Sequence, residues 1–359
     1  MKISIGTNIK DGPWGGGNLF AINLKSYLEN KGHIVINSLE DEDIDLILLT
    51  EPRKTSESSA FTHIDVRNYL DYIKKDTLVI HRVNECDERK GTNYVNKYLI
   101  SSNKFADYTV FVSKWLRDLY LSQGLKNKNT EVIYAGANPK IFNSEGYQKW
   151  NGEGKVEIVS HHWGGNWNKG FEIYSKLDDM LDQDDLKSKI NFNYIGNLPK
   201  NFSFKNANHI EPLSGELLAM EIKKSHIYIT ASLNEPSGNH HIEAAQCGLP
   251  ILYIDSGGMP EYCDGYGVVF NQENFHKKLN QIINDYSSLS KIMKNYPYNS
   301  YLMCQEYENL FIELLSNKKN VVEMREYQIS EARMNKLFFK LTRFLNKKKK
   351  IQIKLSKYE

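Results

Sequence analysis

The strongest architectural signal lies at residues 234–250, NEPSGNHHIEAAQCGLP, directly after the apolar run HIYITAS at 226–232. The apolar run predicts a strand, Pro-Ser-Gly predicts a turn, and the segment up to Gly248 predicts a short helix. Glu235 then lies in the loop that ends the strand, and Glu243 lies two turns into the helix, about 12 Å further along. In open α/β sheets, ligands bind at this end of the strands.

The two carboxylates predict a ligand with two hydroxyl-bearing ends. One carboxylate can accept hydrogen bonds from a sugar while the other reaches a ribose. Between them, the free amides at the helix start suit phosphates. The spacing matches the length of a nucleotide-sugar, and the candidate donor-binding residues of this turn are Ser237, Gly238, Asn239 and His240.

Outward from this stretch, short apolar runs alternate with segments of helical period along most of the chain. This alternation predicts an α/β fold with mostly parallel sheets. A polar, turn-rich segment at 146–154 (GYQKWNGEG) divides the chain into two doubly wound, Rossmann-like domains, 1–145 and 146–298, facing across a cleft. The predicted strands are Lys2–Gly6, His33–Ile36, Asp45–Leu49, Leu78–His81, Tyr108–Val112, Glu131–Tyr134, Val156–Ser160, Asn191–Ile195, Ile227–Thr230, Ile251–Ile254 and Gly267–Phe270.

Length and composition exclude several classes of protein. The 359 residues are 40% hydrophobic and 25% charged, which fits two globular domains and excludes a disordered or collagen-like chain. Apolar runs fall far short of the ~20 residues that span a bilayer. The N-terminal sequence predicts a strand rather than a signal peptide. The four cysteines are widely spaced, so we expect neither a disulfide framework nor a zinc site, and a cytoplasmic location.

The C-terminal region differs in charge from the rest of the chain. Residues 318–359 hold 13 Lys/Arg and 4 Asp/Glu, a net charge of +9, which leaves 33 basic and 40 acidic residues, or −7, elsewhere. This distribution argues against a nucleic-acid-binding core. We expect residues 299–316 to form a helix that crosses back to the first domain. Residues 317–359 form a basic amphipathic tail, whose apolar positions are Met334, Leu337, Phe338, Leu341, Phe344 and Leu345.

Two interpretations of this tail remain open. It is either a helix packed on the body with a frayed basic end, or an interfacial anchor on an anionic membrane surface.

The motif and its surroundings resemble the retaining GT-B glycosyltransferases of family 4 (glycosyltransferase group 1). Their signature is a pair of glutamates separated by seven residues, as in Glu235 and Glu243, followed by Ala and a Gly-x-Pro strand start. Supporting pieces occur in the expected order over roughly residues 1–315: the loop Gly15–Gly17, KGHIV at 31–35, VSKW at 112–115, VIYAGAN at 132–138, NKG at 168–170 and DSGGMPE at 255–261.

The resemblance implies roles for individual residues. Glu243 binds the ribose hydroxyls, Glu235 contacts the donor sugar, and Lys169 neutralises the diphosphate. The amides of Gly15, Gly16 and Gly17 lie near phosphate or acceptor, although this loop also fits an ordinary strand–helix turn. Lysine and oriented amides stabilise a leaving nucleoside diphosphate without a metal. The implied reaction retains anomeric configuration, with a UDP- or GDP-linked sugar as co-substrate and no other cofactor.

One departure concerns the phosphates. The family often carries an arginine five or six residues before the lysine, whereas this chain has Gly164 and Trp163 there. Either His161 or His162 supplies a hydrogen-bond donor instead, or the phosphate contact is weaker. We predict no metal site, because the adjacent histidine pairs lack the i, i+4 spacing that puts two ligands on one helix face.

The acceptor side of the cleft is predicted from the loop at 81–89, which follows a buried strand. His81 and Asp87 are candidates for positioning the acceptor hydroxyl, and a structural loop is the alternative.

The sequence thus predicts a retaining, metal-independent glycosyltransferase acting on a glycan or lipid-linked acceptor in bacterial surface polysaccharide or glycolipid synthesis. The pathway rests on family analogy. The expected location is cytoplasmic or peripheral on the inner membrane face. Two alternatives remain: a catalytically silent GT-B binding or scaffold subunit, and a sugar-nucleotide epimerase of the same architecture.

Overall fold

The computed structural model describes residues 1–10, 15–127, 129–329, 335–343 and 345. Two six-stranded sheets form the framework, with strand orders β2-β1-β3-β4-β5-β6 and β12-β11-β10-β7-β8-β9. Each strand pairing described is parallel. The strands are β1 (Lys2–Ile5), β2 (Ile34–Ile36), β3 (Leu46–Leu49), β4 (Leu78–Val83), β5 (Tyr108–Phe111), β6 (Thr130–Val132), β7 (Val156–His162), β8 (Ile190–Gly196), β9 (Asn208–Ile210), β10 (Ile227–Thr230), β11 (Ile251–Ile254) and β12 (Gly267–Phe270).

Helices lie in the connections between the strands. They are α1 (Gly16–Asn30), α2 (His63–Tyr72), α3 (Asp87–Lys90), α4 (Val95–Asn103), α5 (Lys114–Ser122), α6 (Phe171–Met180), α7 (Asp184–Lys187), α8 (Gly215–Ile222), α9 (Asn239–Gln246), α10 (Met259–Cys263), α11 (Phe275–Asn284), α12 (Tyr286–Ile292), α13 (Ser300–Ser316) and α14 (Lys318–Glu323), with 3-10 turns at Trp167–Lys169 and Met293–Asn295. Residues 335–343 are also helical. The predicted α/β class with two doubly wound domains is confirmed.

The central strands are almost entirely buried because helices cover both faces of each sheet. In the first sheet, all four residues of β3 (LILL) are buried, and in the second sheet all four of β10 (IYIT) are buried. Because the paired strands are parallel, their carboxyl ends lie at one edge of each sheet, where the polar loops begin. None of the helices in the described ranges is long and apolar enough to cross a membrane.

Helix α13 packs on the first domain. Its residues Met303, Tyr307 and Phe311 share a buried core with Phe20 of α1, and the rings of Phe20 and Tyr307 meet edge to face at 5.2 Å. A carboxylate on the same helix, Glu308, accepts a hydrogen bond from Tyr27 Oη at 3.0 Å. The chain therefore returns to the first domain after completing the second.

Glu261 of α10 joins the second domain to the first. Its carboxylate accepts hydrogen bonds from the backbone amides of Lys114 (2.8 Å) and Trp115 (2.7 Å) and from Tyr134 Oη (2.9 Å). A carboxylate at the first turn of α5 also complements the positive end of that helix. The contact fixes the orientation of one domain relative to the other.

The C-terminal segment is anchored on the first domain by Arg325. Its guanidinium pairs through two 2.7 Å bonds with the buried carboxylate of Asp107 and donates to the carbonyls of Lys75 and Thr77. Further along, the helix at 335–343 contacts the domain through Phe339, whose ring lies 5.1 Å from that of Tyr72.

This last helix leaves its predicted apolar positions exposed. Leu337 and Phe338 are 70% and 74% exposed, and Leu341 and Leu345 are also exposed. Met334 and Phe344 of the predicted apolar face, and the remainder of the tail from 346 onward, lie outside the described residues.

Candidate active site

The centre of the cleft is the carboxylate of Glu235, in the loop after β10. Lys169 Nζ lies 2.6 Å from Oε2 and Arg89 Nε lies 2.8 Å from Oε1, although the glutamate is only 5% exposed. Burial alone raises the pKa of Glu235, but Lys169 and Arg89 together outweigh burial and hold this pKa well below its usual range. Glu235 is therefore an ionised carboxylate with a cation on each oxygen.

Lys169 reaches this carboxylate because a glycine follows it. Gly170 has a φ of +100°, and a Cβ built on it would lie 2.6 Å from Cβ of Ala231. Only a residue without a side chain allows the turn after β7 to approach β10 this closely. The close approach places the lysine ammonium against Glu235.

Arg89 comes from the other domain, on the short helix α3 that follows β4. Besides bonding Glu235, its Nη1 donates to both carboxylate oxygens of Glu85, at 3.1 and 3.2 Å. Lys90 Nζ also pairs with Glu85, at 3.0 Å. The loop that follows β4 was predicted to line the cleft, but no role was predicted for Arg89. The feature of the sequence that could have indicated a role for Arg89 is its position, in the loop that follows a parallel strand.

A cavity of about 430 Å³ opens between the two domains at these groups. Two of its lining residues belong to the first domain and six to the second. They are Arg89, Lys90, Asn166, Trp167, Asn168, Lys169, Leu233 and Glu235. The wall therefore combines three cations, hydrogen-bonding amides and an indole, which suits a ligand that is both anionic and sugar-like.

The second predicted carboxylate, Glu243, lies on α9 and bonds a histidine. Its Oε2 lies 2.9 Å from His161 Nε2, and both side chains are 8% exposed. The structure thus pairs Glu243 with one of the two histidines considered as replacements for the missing arginine. A buried carboxylate oriented by a histidine is a suitable acceptor for hydroxyl groups.

His162 and His240 lie inside the second domain, against other side chains. His162 Nε2 lies 2.9 Å from Tyr174 Oη, and His240 Nε2 lies 2.8 Å from Thr230 Oγ1. Burial lowers the pKa of both histidines well below the usual value, so both rings are neutral. Among the described residues, no group of three or more His, Cys, Asp or Glu side chains is arranged to hold a metal ion.

The glycine loop after β1 meets the glutamate motif. Gly16 begins α1, and a Cβ built on it would lie 3.3 Å from the side-chain amide of Asn239. Gly15 has a φ of +80°, and Gly17 lies within the first turn of α1. Residues 11–14, which precede this turn, lie outside the described residues. The structure thus brings the predicted first-domain loop to the start of α9.

Ser237 and Gly238 form the turn that connects Glu235 to α9. Gly238 has a φ of +74°, and a Cβ on it would lie 2.9 Å from Cγ of Glu235. A side chain at this position would displace the carboxylate, so the glycine is needed for the position of Glu235 in the cleft.

The structure does not present the two acceptor-side candidates to the cleft. His81 is fully buried within β4, bonds the amide of Asn103 at 3.0 Å, and has its pKa lowered to about 3 by burial. Asp87 accepts hydrogen bonds from Thr92 and from the backbone amides of Tyr94, Val95 and Asn96. Both side chains therefore stabilise the first domain.

Two parallel Rossmann-like sheets that face each other across a cleft define the GT-B class of proteins. Residues 201–300 match the family model described as Glycosyl transferases group 1, so the resemblance to this family is confirmed.

Solved structures share the fold over most of the chain. HepE from Anabaena in complex with UDP-glucose is 15% identical, with a TM-score of 0.62, over 88% of this chain and 100% of that one. The catalytic domain of starch synthase IV from Arabidopsis thaliana, bound to ADP and acarbose, is 11% identical, with a TM-score of 0.64, over 88% and 99%. WaaG, a glycosyltransferase of lipopolysaccharide biosynthesis, is 12% identical, with a TM-score of 0.59, over 87% and 99%. No protein of curated function matches by sequence.

Proposed function

We propose that this protein is a glycosyltransferase that moves a sugar from a nucleotide-sugar to an acceptor hydroxyl. The observation that carries the proposal is the ionised Glu235, held by Lys169 and Arg89 at a cavity between the domains. The family match of residues 201–300 and the UDP-glucose complex of HepE support a nucleotide-sugar donor.

In the proposed reaction, the bond between the anomeric carbon and the diphosphate oxygen breaks, and the acceptor oxygen bonds to that carbon. The acceptor proton passes to a phosphate oxygen of the departing nucleoside diphosphate. Lys169 stabilises the negative charge that develops on the leaving group. Glu235, negative and desolvated, stabilises the oxocarbenium-like centre. Because the acceptor gives its proton to the departing phosphate, it approaches on the face that the leaving group occupied, and configuration is retained.

We further propose that the reaction needs no metal, because the lysine and the helix-start amides supply the positive charge. The proposed acceptor is a glycan or lipid-linked glycan of a bacterial surface polymer. The likeness to WaaG, named for lipopolysaccharide biosynthesis, supports this acceptor class. A silent scaffold would have no use for a desolvated carboxylate clamped by two cations, and no specific observation favours an epimerase.

Thermal-shift titration with UDP, GDP, ADP and their sugar conjugates tests the donor. We expect one nucleotide to raise the melting temperature, with and without EDTA. We expect Glu243→Gln to weaken that nucleotide's binding about 10- to 100-fold, because a charged hydrogen-bond acceptor for the ribose is lost. The matched control is Glu221→Gln, a glutamate of the same domain that pairs with Lys224. A lack of any shift by all the nucleotides would contradict the proposal.

We also propose that the tail holds the protein at an anionic membrane surface. The helix at 335–343 contacts the body through Phe339 and through Arg343, which donates to the carbonyl of Leu39 at 2.8 Å. Leu337 and Phe338 remain exposed beside the basic Lys336. The sequence that follows contains four consecutive lysines at 347–350. Apolar side chains flanked by basic residues are typical of a helix that lies in the lipid interface.

Co-sedimentation with phosphatidylglycerol vesicles tests the tail. Replacing both Leu337 and Phe338 with Glu is expected to reduce vesicle binding at least 100-fold, since burial of each side chain contributes about 1.5–3 kcal/mol. The matched control replaces Leu217 and Met220, which are similarly exposed on α8 of the second domain, with Glu. Equal vesicle binding by the two double variants would exclude the tail as the membrane contact.

A further inference from the structure

We propose that Arg89 of the first domain binds the diphosphate of the donor together with Lys169 of the second, so that the phosphates are held from both walls of the cleft. This inference rests on the proposed function and assigns a specific donor ligand within it. Neither the family match, which covers residues 201–300, nor the glutamate motif includes Arg89.

The first support is the position of the two cations. Arg89 Nε and Lys169 Nζ contact opposite oxygens of the same Glu235 carboxylate, at 2.8 and 2.6 Å. Two cations within bonding distance of one carboxylate are close enough to bind neighbouring oxygens of one diphosphate. Both side chains also line the cavity between the domains. A planar guanidinium binds phosphate oxygens in pairs, which a lysine ammonium does not do.

The second support is the balance of charge and bonding around the cavity. Three cations, Arg89, Lys90 and Lys169, face two carboxylates, Glu85 and Glu235. The hydrogen bonds described for Arg89 use Nε and Nη1, so among the described residues Nη2 is available to another acceptor. The cluster therefore carries surplus positive charge at the cavity, and a diphosphate supplies the missing negative charge.

The third support is the glycine at position 164, beside Lys169. A Cβ built on Gly164 would lie 3.7 Å from Cε of Lys169, in ordinary contact and without a clash. The second domain thus has room for a side chain next to the lysine but provides none. Arg89, which belongs to the first domain, instead places a guanidinium next to this lysine, on the same Glu235 carboxylate. Diphosphate binding then depends on both domains facing each other as they do around Glu235.

Isothermal titration of the full-length protein tests this assignment, with UDP, GDP and ADP and with the corresponding nucleosides as probes. We expect Arg89→Gln to weaken binding of the preferred nucleoside diphosphate about 10- to 100-fold and to leave nucleoside binding unchanged, because a charge-assisted bond to phosphate is lost. The control is Arg117→Gln, since Arg117 pairs with Asp118 and is 33% exposed, compared with 30% for Arg89.

A second-site variant separates a phosphate ligand from a structural residue. Adding Gly164→Arg to Arg89→Gln restores a guanidinium beside Lys169 and is expected to recover diphosphate affinity. Equal weakening of nucleoside and diphosphate binding in Arg89→Gln would overturn the inference, because it would mean that Arg89 only shapes the cleft. Unchanged diphosphate affinity in that variant would also overturn it while leaving the proposed function intact. Failure of the wild-type protein to bind any of the nucleotides would overturn both.

Discussion

Replacing Glu235 with Gln is expected to lower kcat about 10²- to 10³-fold without weakening nucleoside diphosphate binding. Gln is the same size, so the loop after β10 keeps its conformation, but the desolvated negative charge that we propose to lie near the anomeric carbon is lost. Removing one preorganised electrostatic group from an active site typically has an effect of this size. Nucleotide affinity should hold or rise, because Lys169 and Arg89 lose an anionic partner that competes with phosphate for them.

Turnover is measured as nucleoside diphosphate released from the sugar nucleotide that stabilises the wild-type protein. Binding is measured separately with the free diphosphate. Glu221→Gln serves again as the surface control. A Glu235→Gln variant that binds the diphosphate less well but turns over normally would reverse the roles assigned to the two glutamates. Near wild-type kcat in this variant would remove Glu235 from the mechanism.

The parallel strands with buried faces were predictable from sequence because both of their faces are apolar. The runs LILL of β3 and IYIT of β10 allow few alternatives to a buried strand. Strand β9 (Asn208–Ile210) was not predicted. It has three residues, lies at the edge of the second sheet beside β8, and has no buried residue. Such a strand is specified by its partner's backbone and not by its own side chains.

The candidate site was predictable where short local motifs build it. The glutamate motif places Glu235 and Glu243 within nine consecutive residues, and the turn NKG at 168–170 places Lys169. Arg89 was not predicted because it lies 146 residues from Glu235 in sequence and approaches only when the two domains face each other. The arrangement of domains, rather than any local pattern, determines this contact.

The histidines show how a strand boundary changes a functional assignment. The sequence predicts that the strand Val156–Ser160 ends before the histidine pair. His161 and His162 would then lie in the loop after this strand, where they could donate to the phosphates. The observed β7 continues to His162. Because alternate side chains of a strand point to opposite faces, the two rings separate: His161 meets Glu243, and His162 meets Tyr174.

Replacing Arg325 with Met is expected to lower the free energy of unfolding of the first domain by about 3–5 kcal/mol. The partner carboxylate of Asp107 is 1% exposed and would lose both 2.7 Å guanidinium bonds. It would retain the 2.8 Å bond from the Val79 amide, which does not compensate a buried charge. The carbonyls of Lys75 and Thr77 would lose a donor as well.

The midpoint and slope of urea unfolding measure this effect, since a lower midpoint at constant slope reports a change in stability. The matched control is Lys318→Met, which removes an ion pair between the same C-terminal segment and Asp76 of the first domain. That pair is also short, at 2.6 Å, but its side chains are 25% and 52% exposed. An exposed pair contributes at most about 1 kcal/mol, because water screens it in the folded state and solvates both charges equally well in the unfolded state. If the two variants unfold at the same urea concentration, burial does not distinguish the two pairs. Arg325 would then not be what fixes the C-terminal segment to the first domain.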